Sequence, residues 1–473
     1  AVFGSGVIAR RLRDYLLAHS TGMHLVGVYD DRNERALQPA DALEPNGTLE
    51  DLIAEGRRGS IDQIIIALPA SADARIAEVA RRLEQIPASM HVCTHILSDL
   101  IDRRTASHKV SSIGPIGLID IKRKPLADWG RLLKAALDYG LGLFSAPEGA
   151  HGIFSSGGSE SIFLAMKSAR DAHRAKAKVG RETPLNLVVP VTVHPAFDKA
   201  ALAMDIEMRR APLRPDRRVD PAEMRKLIDA NTMAIVGSAP CFPHGVIDPI
   251  DELSRLAIET GIWLHVDACV GGWMAPFFTR NGRATPYFDF RFPGVRSISA
   301  DLHEFGFCPK PASTVFFRSR DDAERSAFRA DSWPSGPFMT ETLVGTRPGG
   351  AVAGAWAVLN HMGTAGFEAL ARNLAKMVDG YVEGIKAIPG LEMWSVPDLT
   401  IINYGASDLN MQAVAKQMMQ KGFLPSLTRA PAGLHAMLAM QHEPVRDLYL
   451  KSLRESVEAV RSGATGSAKS VYG

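Results

Sequence analysis

The sequence has 473 residues, of which 46% are hydrophobic and 22% charged, and its formal net charge is +2. This balance is typical of a globular protein of roughly two to four domains and does not suggest nucleic acid as a partner. The four cysteines form no Cys-x-x-Cys pair, so we expect a reducing cytoplasm, no disulfide framework and no metal site. No apolar run is long enough to predict a transmembrane segment.

The first 125 residues alternate between apolar strands and amphipathic helices. Alternation of this kind predicts an α/β domain with a parallel, Rossmann-like sheet. After an opening strand at residues 1–4, the predicted elements are helix Val7–Ala18, strand His24–Tyr29, strand Ile61–Ala67, helix Asp73–Gln85 and strand Met90–Thr94.

The turn between the first strand and the first helix has the pattern G-x-G-x-x-A, from Gly4 to Ala9. Glycines in such a turn let a phosphate approach the helix N-terminus. Asp30 and Asp31 follow the second strand, where a ribose-binding acid is expected. The pattern is compatible with a bound nucleotide, but a tight turn without any ligand is the favoured explanation.

Residues 2–10, the strand near Ile61 and the segment 117–134 resemble the cytoplasmic nucleotide-binding-like domain of bacterial undecaprenyl-phosphate sugar phosphotransferases. In that family the next segment enters the membrane and leads to the catalytic domain. Here the similarity stops at a break rich in Pro and Gly, from Ser145 to His151. The transferase activity is therefore not implied, and we expect residues 126–150 to join two different domains.

A second α/β pattern begins after the break, and we expect residues 151–347 to form a large α/β domain. Its predicted strands and helices are Gly152–Ser156, Ile162–Lys178, Leu187–Val193, Thr232–Ala239, Asp251–Thr260 and Ile262–Val266. Polar residues follow several of these strands, and ligands of open α/β sheets bind at the carboxyl ends of the strands.

Residues 348–473 predict a smaller α+β domain. Its predicted helices are Ala351–Met362, Phe367–Ile388, Asn410–Lys421 and Pro444–Val460, and its predicted strands are Leu391–Ser395 and Leu399–Tyr404.

Three strand-end features of the large domain could carry chemistry. The glycine-rich segment Ser156–Ser159 precedes a helix, so it could bind a phosphate or serve only as an N-cap. Asp267 ends a buried strand and needs a cationic partner, either a protonated ring nitrogen or an arginine. His194 could stack on a ring and shuttle protons, although a histidine at a strand end is more often structural.

The segment from Ser297 to Phe317 places a polar loop between two apolar strands. Such a loop, held between buried strands, is typical of a catalytic loop. Its charged residues and histidine are Asp301, His303, Glu304 and Lys310.

Six segments between residues 150 and 473 resemble, in order and spacing, those of sphingosine-1-phosphate lyases, which are pyridoxal-phosphate-dependent enzymes of the decarboxylase-like group. They begin at Ser156, Val193, Ala239, His265, Ser299 and Gly345. The resemblance implies fold-type I, pyridoxal phosphate as cofactor, a homodimer with shared sites, and a phosphorylated amine as substrate. In the family, a phosphorylated sphingoid base is cleaved to an aldehyde and phosphoethanolamine.

The resemblance also implies residue roles, which make His194, Asp267, Glu304 and Lys310 the candidate catalytic positions. It assigns Gly158, Ser159 and His303 to the cofactor phosphate, Asp267 to the ring nitrogen, His194 to ring stacking, and Gly349 to the phosphate of the partner subunit.

One departure falls on the key position, because the family places its imine-forming lysine directly after the histidine, where this chain has Glu304. A carboxylate cannot form an imine, and its charge repels a phosphate. Lys310 matches a second lysine of the family, near the substrate, and we expect it to replace the missing one poorly. One base change converts Lys into Glu, so a natural change, an inactivating mutation and a sequence error remain alternatives.

A second departure is the front of the lyase-like part. Family members carry an N-terminal segment that packs on the dimer and helps to wall the substrate channel. Here a nucleotide-binding-like domain takes its place, and the abrupt change at residues 143–145 favours a chimeric gene model over a natural fusion.

The favoured interpretation is a carbon–carbon lyase of the sphingosine-1-phosphate lyase type whose activity is in question at Glu304. One alternative is an amino-acid decarboxylase of the same fold. Another is a non-catalytic binding protein whose N-terminal domain senses a nucleotide. A dehydrogenase built on the turn at Gly4 lacks any recognisable hydride-transfer site and is disfavoured.

Overall fold

A computed structural model describes residues 1–19, 23–31, 43–57, 61–69, 72–83, 89–94, 110–113, 116–122 and 129–466. The chain divides into two compact units, unit 1 (Ala1–Leu132) and unit 2 (Leu133–Gly473). The end of the helix predicted to reach Gln85 and the first residues of the predicted join, 126–128, lie outside the described residues.

Unit 1 contains a mixed sheet with helices, and its core consists of branched apolar side chains. The strands are β1 (Val2–Phe3), β2 (Val28–Tyr29), β3 (Gln63–Ile66), β4 (Ser89–Thr94), β5 (Val110–Ile113) and β6 (Ile116–Lys122). The helices are α1 (Val7–Ala18), α2 (Leu49–Arg57) and α3 (Asp73–Leu83). The sheet order is β2-β1-β3-β4-β6-β5; the first four strands are parallel, and β6 is antiparallel to both β4 and β5.

The glycine-rich turn of unit 1 sits between β1 and α1, as the sequence predicts. Gly4 has φ +107, a conformation that favours glycine, and a Cβ there would lie 2.7 Å from the carbonyl oxygen of Ala67. Asp30 Oδ2 accepts hydrogen bonds from the amide of Ser5 at 2.8 Å and from its hydroxyl at 2.7 Å. The sequence suggested that this carboxylate would bind a ribose, but in the structure it stabilises the glycine-rich turn.

Unit 2 is built around a seven-stranded sheet in the order β7-β13-β12-β11-β10-β8-β9. Strands β8 to β12 run parallel to one another, whereas β13 is antiparallel to both β12 and β7. These strands are β7 (His151–Ser155), β8 (Leu185–Pro190), β9 (Ile206–Ala211), β10 (Thr232–Ser238), β11 (Trp263–Asp267), β12 (Val295–Ala300) and β13 (Ser313–Phe317).

Helices accompany this sheet, and buried apolar side chains fill the space between them and the strands. The helices that precede or follow its strands are α4 (Trp129–Leu143), α5 (Gly158–Ala177), α6 (Ala196–Ala203), α7 (Pro221–Leu227), α8 (Ile250–Thr260), α9 (Ala275–Arg280) and α10 (Arg320–Glu324). The carboxyl ends of the parallel strands meet at one edge, which positions the residues that follow them.

The C-terminal part of unit 2 contains a hairpin, a long helix and a four-stranded sheet in the order β16-β17-β19-β18. The strands are β14 (Phe328–Ala330), β15 (Phe338–Thr340), β16 (Glu392–Met393), β17 (Ile401–Gly405), β18 (Ser426–Arg429) and β19 (Ala432–Met437). The helices are α11 (Gly349–Lys386), α12 (Met411–Gln420), a 3₁₀ segment (Met440–Val445) and α13 (Arg446–Arg461). Helix α11 consists of two helical segments separated by a kink at Gly363, whose φ of 53° and ψ of −174° are not helical, so the two helices predicted on either side of this glycine are confirmed.

The sheets agree with the predicted α/β class, because a Rossmann-like sheet in unit 1 is followed in unit 2 by a larger, mostly parallel sheet and a smaller α+β part. In the described ranges, no helix combines the length and the apolarity that crossing a bilayer requires.

Candidate active site

The loop Ser156–Ser159 joins β7 to α5 and forms one wall of a cavity in unit 2. Glu160, 6% exposed, fixes this loop because its Oε2 accepts hydrogen bonds from the amide and the hydroxyl of Ser156, both at 2.7 Å. The Gly158 amide donates to Asp301 Oδ2 at 3.1 Å. The loop lies at the N-terminus of a 20-residue helix, a position that suits an anion, and an anion there would compete with Asp301 for the Gly158 amide.

Asp267 ends β11 on another wall of the cavity and is 8% exposed. Its Oδ1 accepts hydrogen bonds from Ser299 Oγ at 3.1 Å and from the Cys269 amide at 3.2 Å. These donors fix the orientation of the carboxylate. A carboxylate held this way suits a cationic ligand atom, such as a protonated ring nitrogen.

A row of polar side chains crosses the sheet behind Asp267. Trp263 Nε1 donates to Ser297 Oγ at 2.8 Å. His265 lies between two serines, with Nδ1 2.8 Å from Ser297 Oγ and Nε2 3.2 Å from Ser299 Oγ. Burial lowers the pKa of His265 to about 4, although Asp267 opposes the shift, so this ring is neutral at pH 7.

The loop after β12 carries Asp301 and His303 into the cavity. Burial raises the pKa of Asp301 to about 7; the charges of Asp267 and Glu304 add to this rise, and the Ser313 hydroxyl opposes it. His303 Nε2 lies 3.3 Å from Asp301 Oδ2. Burial also lowers the pKa of His303.

Glu304 lies on the cavity wall beside His303, with 25% of its side chain exposed. Its Oε1 is 3.8 Å from His303 Nε2 and 3.9 Å from Lys310 Nζ. The Lys310 side chain is 73% exposed, so its ammonium group remains largely hydrated. One ligand atom from each of Asp301, His303 and Glu304 lies within 4.8 Å of the others.

The remaining walls combine a histidine with apolar side chains from two parts of unit 2. The Ala196 amide donates to His194 Nδ1 at 3.2 Å, which restricts the orientation of the ring. Phe242 comes from the loop after β10 and Met437 from the end of β19, so the small domain helps to close the cavity.

The cavity has a volume of about 560 Å³ and brings together most of the residues predicted from the sequence. Those that line it are Gly158, Ser159, His194, Asp267, His303, Glu304 and Lys310. Gly349 is not among the lining residues and begins α11. The sequence placed Asp301 in the predicted catalytic loop but gave it no specific role. It gave none either to the lining residues Ser238, Phe242, Cys269 and Met437.

Gly158→Ala is expected to weaken binding of pyridoxal phosphate about ten-fold or more. A Cβ at this position would lie 2.8 Å from Cys269 Sγ and 2.9 Å from Asp301 Oδ2. Relieving such contacts costs about 1–3 kcal/mol and moves the amide that faces the ligand. Calorimetric titration measures the change, and Gly142→Ala is the matched control because a Cβ there meets nothing within 4 Å. Equal affinity for both variants would contradict the assignment of this loop to the phosphate.

The affinity of the cavity for sulfate is expected to rise roughly ten-fold, or about 1.4 kcal/mol, as the pH falls from about 8 to about 6. Asp301, with a pKa of about 7, loses its charge in this range and ceases to compete for the Gly158 amide. Sulfate is a suitable probe because its own charge stays constant.

The raised pKa of Asp301 also affects the stability of the fold, because the ionised carboxylate is unfavourable in the folded state. The stability that protonated Asp301 contributes is therefore lost as the pH rises from about 4 through 7.

Calorimetry across this pH range tests the expectation, with Asp301→Asn as the control that removes the charge at every pH. The variant should bind sulfate with little dependence on pH above 6.5, the ordinary pKa of histidine, because the pKa of His303 is lowered from that value. A variant that kept the full dependence would show that another group titrates.

Comparison with known proteins identifies the group to which this architecture belongs. Residues 132–405 match the pyridoxal-dependent decarboxylase conserved domain. The chain belongs to this family. Pyridoxal phosphate is the family's cofactor. Residues 5–92 match a CoA-binding domain, in keeping with the nucleotide-binding-like interpretation of unit 1.

Individual relatives include lyases and a decarboxylase. The chain is 39% identical over 328 residues to the sphingosine-1-phosphate lyase of Arabidopsis thaliana, covering 68% of this chain and 59% of the relative. A probable L-tyrosine/L-aspartate decarboxylase of Methanothermobacter thermautotrophicus is 32% identical over 323 residues, covering 67% of this chain and 84% of the relative. The sphingosine-1-phosphate lyase structure from Burkholderia pseudomallei has a TM-score of 0.68 at 33% identity, covering 71% of this chain and 78% of that one. The chain spans 58–60% of the length of the first three curated lyases that it matches.

The cavity fits most of the family's cofactor, but it does not fit covalent attachment at residue 304. The loop Ser156–Ser159 offers donors for a phosphate, and Asp267 offers a carboxylate for a ring nitrogen. Glu304 cannot form an imine. Lys310 reaches the cavity, but its ammonium group stays mostly in solvent and faces Glu304.

Proposed function

We propose that unit 2 binds pyridoxal phosphate in this cavity and acts on a phosphorylated amine. The observation that carries the proposal is the convergence of the loop Ser156–Ser159, Asp267, His194 and His303 on one cavity of about 560 Å³. The loop and His303 would bind the phosphate, Asp267 would hold a proton on the ring nitrogen, and His194 would stack on the ring. The bound cofactor supplies an electron sink for the bond that breaks.

The substrate class that we propose is a phosphorylated sphingoid base, cleaved to an aldehyde and phosphoethanolamine. Relatives named sphingosine-1-phosphate lyase, at 39%, 36% and 33% identity, support this choice. Because Glu304 provides neither the imine nor the lysine's proton transfer, we propose that this chain turns over slowly and that residue 304 limits the rate.

A decarboxylase of the same fold is the second candidate, since a relative of that name is 32% identical and 84% of its length is matched. A product assay distinguishes the two with the Glu304→Lys variant, offered a phosphorylated sphingoid base, tyrosine and aspartate in parallel. Phosphoethanolamine with a long-chain aldehyde supports the lyase. Carbon dioxide released from an amino acid would contradict the lyase and support the decarboxylase.

We also propose a cytoplasmic homodimer that has no nucleic-acid partner. The four cysteines are free thiols, which suits a reducing compartment. Gly349 lies outside the lining of its own chain's cavity, and the family resemblance assigns it to the phosphate of the partner subunit. Sedimentation of the purified chain tests the dimer, and a monomer at micromolar concentration would contradict it.

For unit 1 we propose nucleotide binding of the CoA type, on the basis of the match over residues 5–92 and the glycine turn at Gly4. The carboxylate of Asp30 already bonds Ser5, so a ribose hydroxyl would have to share it. Equilibrium dialysis with CoA and ADP tests this proposal, and retention of neither would remove it.

A further inference from the structure

The cavity concentrates negative charge. Four carboxylates line it, those of Glu160, Asp267, Asp301 and Glu304. Among the described lining residues, Lys310 is the lone lysine or arginine, and its side chain is 73% exposed. A ligand that carries an anion into this cavity is therefore favoured if it also carries cations.

The four carboxylates differ in how well the protein satisfies them. Glu160 accepts hydrogen bonds from the Ser156 amide and hydroxyl, and Asp267 and Asp301 accept bonds from neighbouring hydroxyls and amides. Glu304 Oε1 has cationic or ionisable neighbours only at 3.8 and 3.9 Å, beyond hydrogen-bond distance. Its carboxylate accepts no hydrogen bond from the residues that the structure describes. It is thus the lining carboxylate that a ligand's ammonium group can satisfy.

The cofactor exists in forms that differ at one substituent of the ring. The aldehyde form, pyridoxal phosphate, presents a carbonyl oxygen there, which a carboxylate repels. The amine form, pyridoxamine phosphate, presents an ammonium group, which donates charge-assisted hydrogen bonds to a carboxylate. By the family resemblance, this substituent faces residue 304.

We propose that the cavity selects pyridoxamine phosphate over pyridoxal phosphate because Glu304 pairs with the ammonium group. The inference rests on the proposed function, since it requires the cavity to hold this cofactor class. Its phosphate would lie on the loop Ser156–Ser159 and its ring nitrogen on Asp267, so each charge of the ligand meets an opposite charge or a donor. The chain would thus be a binding protein for the amine form in its resting state.

The preference should amount to about ten- to hundred-fold in dissociation constant, the range for a hydrogen bond to a charged group. Pyridoxine phosphate, which carries a neutral hydroxyl at the same substituent, isolates the contribution of the ammonium charge. It also avoids the accidental imines that an aldehyde forms with surface lysines.

Calorimetric titration of the full chain with these three compounds tests the inference. The protein is first dialysed against EDTA, so that a divalent cation at Asp301, His303 and Glu304 does not neutralise the carboxylate. In Glu304→Gln, the amine form should lose about ten-fold or more of its affinity, while the alcohol form should change little. Glu182→Gln, an exposed position away from the cavity, is the matched control and should retain the preference.

The outcomes separate this inference from the proposed function. Equal binding of the amine and alcohol forms, or a preference that survives in Glu304→Gln, would overturn the role of Glu304 while leaving the cavity as a cofactor site. Failure of all three compounds to bind the wild-type chain, Glu304→Gln and Glu304→Lys would overturn the proposed function itself.

Discussion

Glu304→Lys is expected to create a borohydride-reducible bond between pyridoxal phosphate and residue 304 and to raise turnover by about 10²–10⁴-fold. That range is the usual contribution of a positioned proton-transfer group, to which the new nucleophile adds. Glu304 already lies on the cavity wall, so a lysine there would reach the cavity from the same backbone position. Reduction, proteolysis and mass spectrometry locate the bond, and product formation measures turnover.

Two companion variants separate charge from chemistry. Glu304→Gln removes the negative charge without adding an amine, so it should show no reducible bond and almost no turnover. Lys310→Met tests the other amine at the cavity mouth, whose side chain is 73% exposed. A reducible bond at Lys310 in the wild-type chain would show that the displaced lysine holds the cofactor and would contradict the role assigned to residue 304.

Asp398→Ala is expected to lower the free energy of unfolding of unit 2 by about 3–5 kcal/mol, the usual cost of breaking a buried ion pair. Asp398, whose side chain is 9% exposed, accepts hydrogen bonds from Arg218 at 2.8 and 3.1 Å and from the Ile247 amide at 2.6 Å. Its removal leaves the Ile247 amide without this acceptor and leaves Arg218 with the Ile247 carbonyl and the exposed Asp216 as partners, at the junction between the large sheet and the small domain. Urea unfolding, followed by the fluorescence of the buried Trp263 and Trp273, measures the loss.

A second carboxylate beside Arg218, that of Asp216, provides the control. Asp216 Oδ2 lies 3.4 Å from Arg218 Nε, but the Asp216 side chain is 53% exposed. Asp216→Ala should therefore cost less than about 1 kcal/mol. Similar losses for both variants would mean that burial of Asp398 is not what makes its pair important. Because Phe242 belongs to the loop that ends near Ile247, we also expect Asp398→Ala to weaken cofactor binding.

Apolar periodicity predicted the elements that carry the core. Helix α1 has the predicted bounds, Val7–Ala18, and β11 ends at Asp267, one residue after the predicted strand. The pattern missed β9 and β18, in which apolar residues are mixed with charged or polar ones. Both are edge strands, and a strand that is not buried on both faces lacks a continuous apolar run. The predicted break at Gly363 is confirmed, because the backbone of this residue is not helical and α11 kinks there.

The candidate site could be predicted where a local rule applies. Asp267 and the loop after β7 follow strands of one sheet, and such positions converge in α/β folds. Met437 could not be predicted, because tertiary packing of the small domain brings it to the cavity. Phe242 lies in the family-like segment that begins at Ala239, but that resemblance assigned it no role. The exposure of Lys310 could not be predicted either, because it depends on the tertiary structure. The sequence shows only that Lys310 lies six residues after Glu304.

The hydrogen bonds in the polar row behind Asp267 all run in one direction from donor to acceptor. Trp263 Nε1–H can only donate and an ionised Asp267 can only accept, so each group between them must accept from one neighbour and donate to the next. His265 then carries its proton on Nε2. If the hydroxyl of Ser297 or Ser299 pointed the other way, one hydrogen bond of the row would be lost. In an NMR spectrum, we expect this Nε2 proton to exchange slowly with water and to keep its chemical shift from pH 8 down to about 5, since the pKa of His265 is about 4.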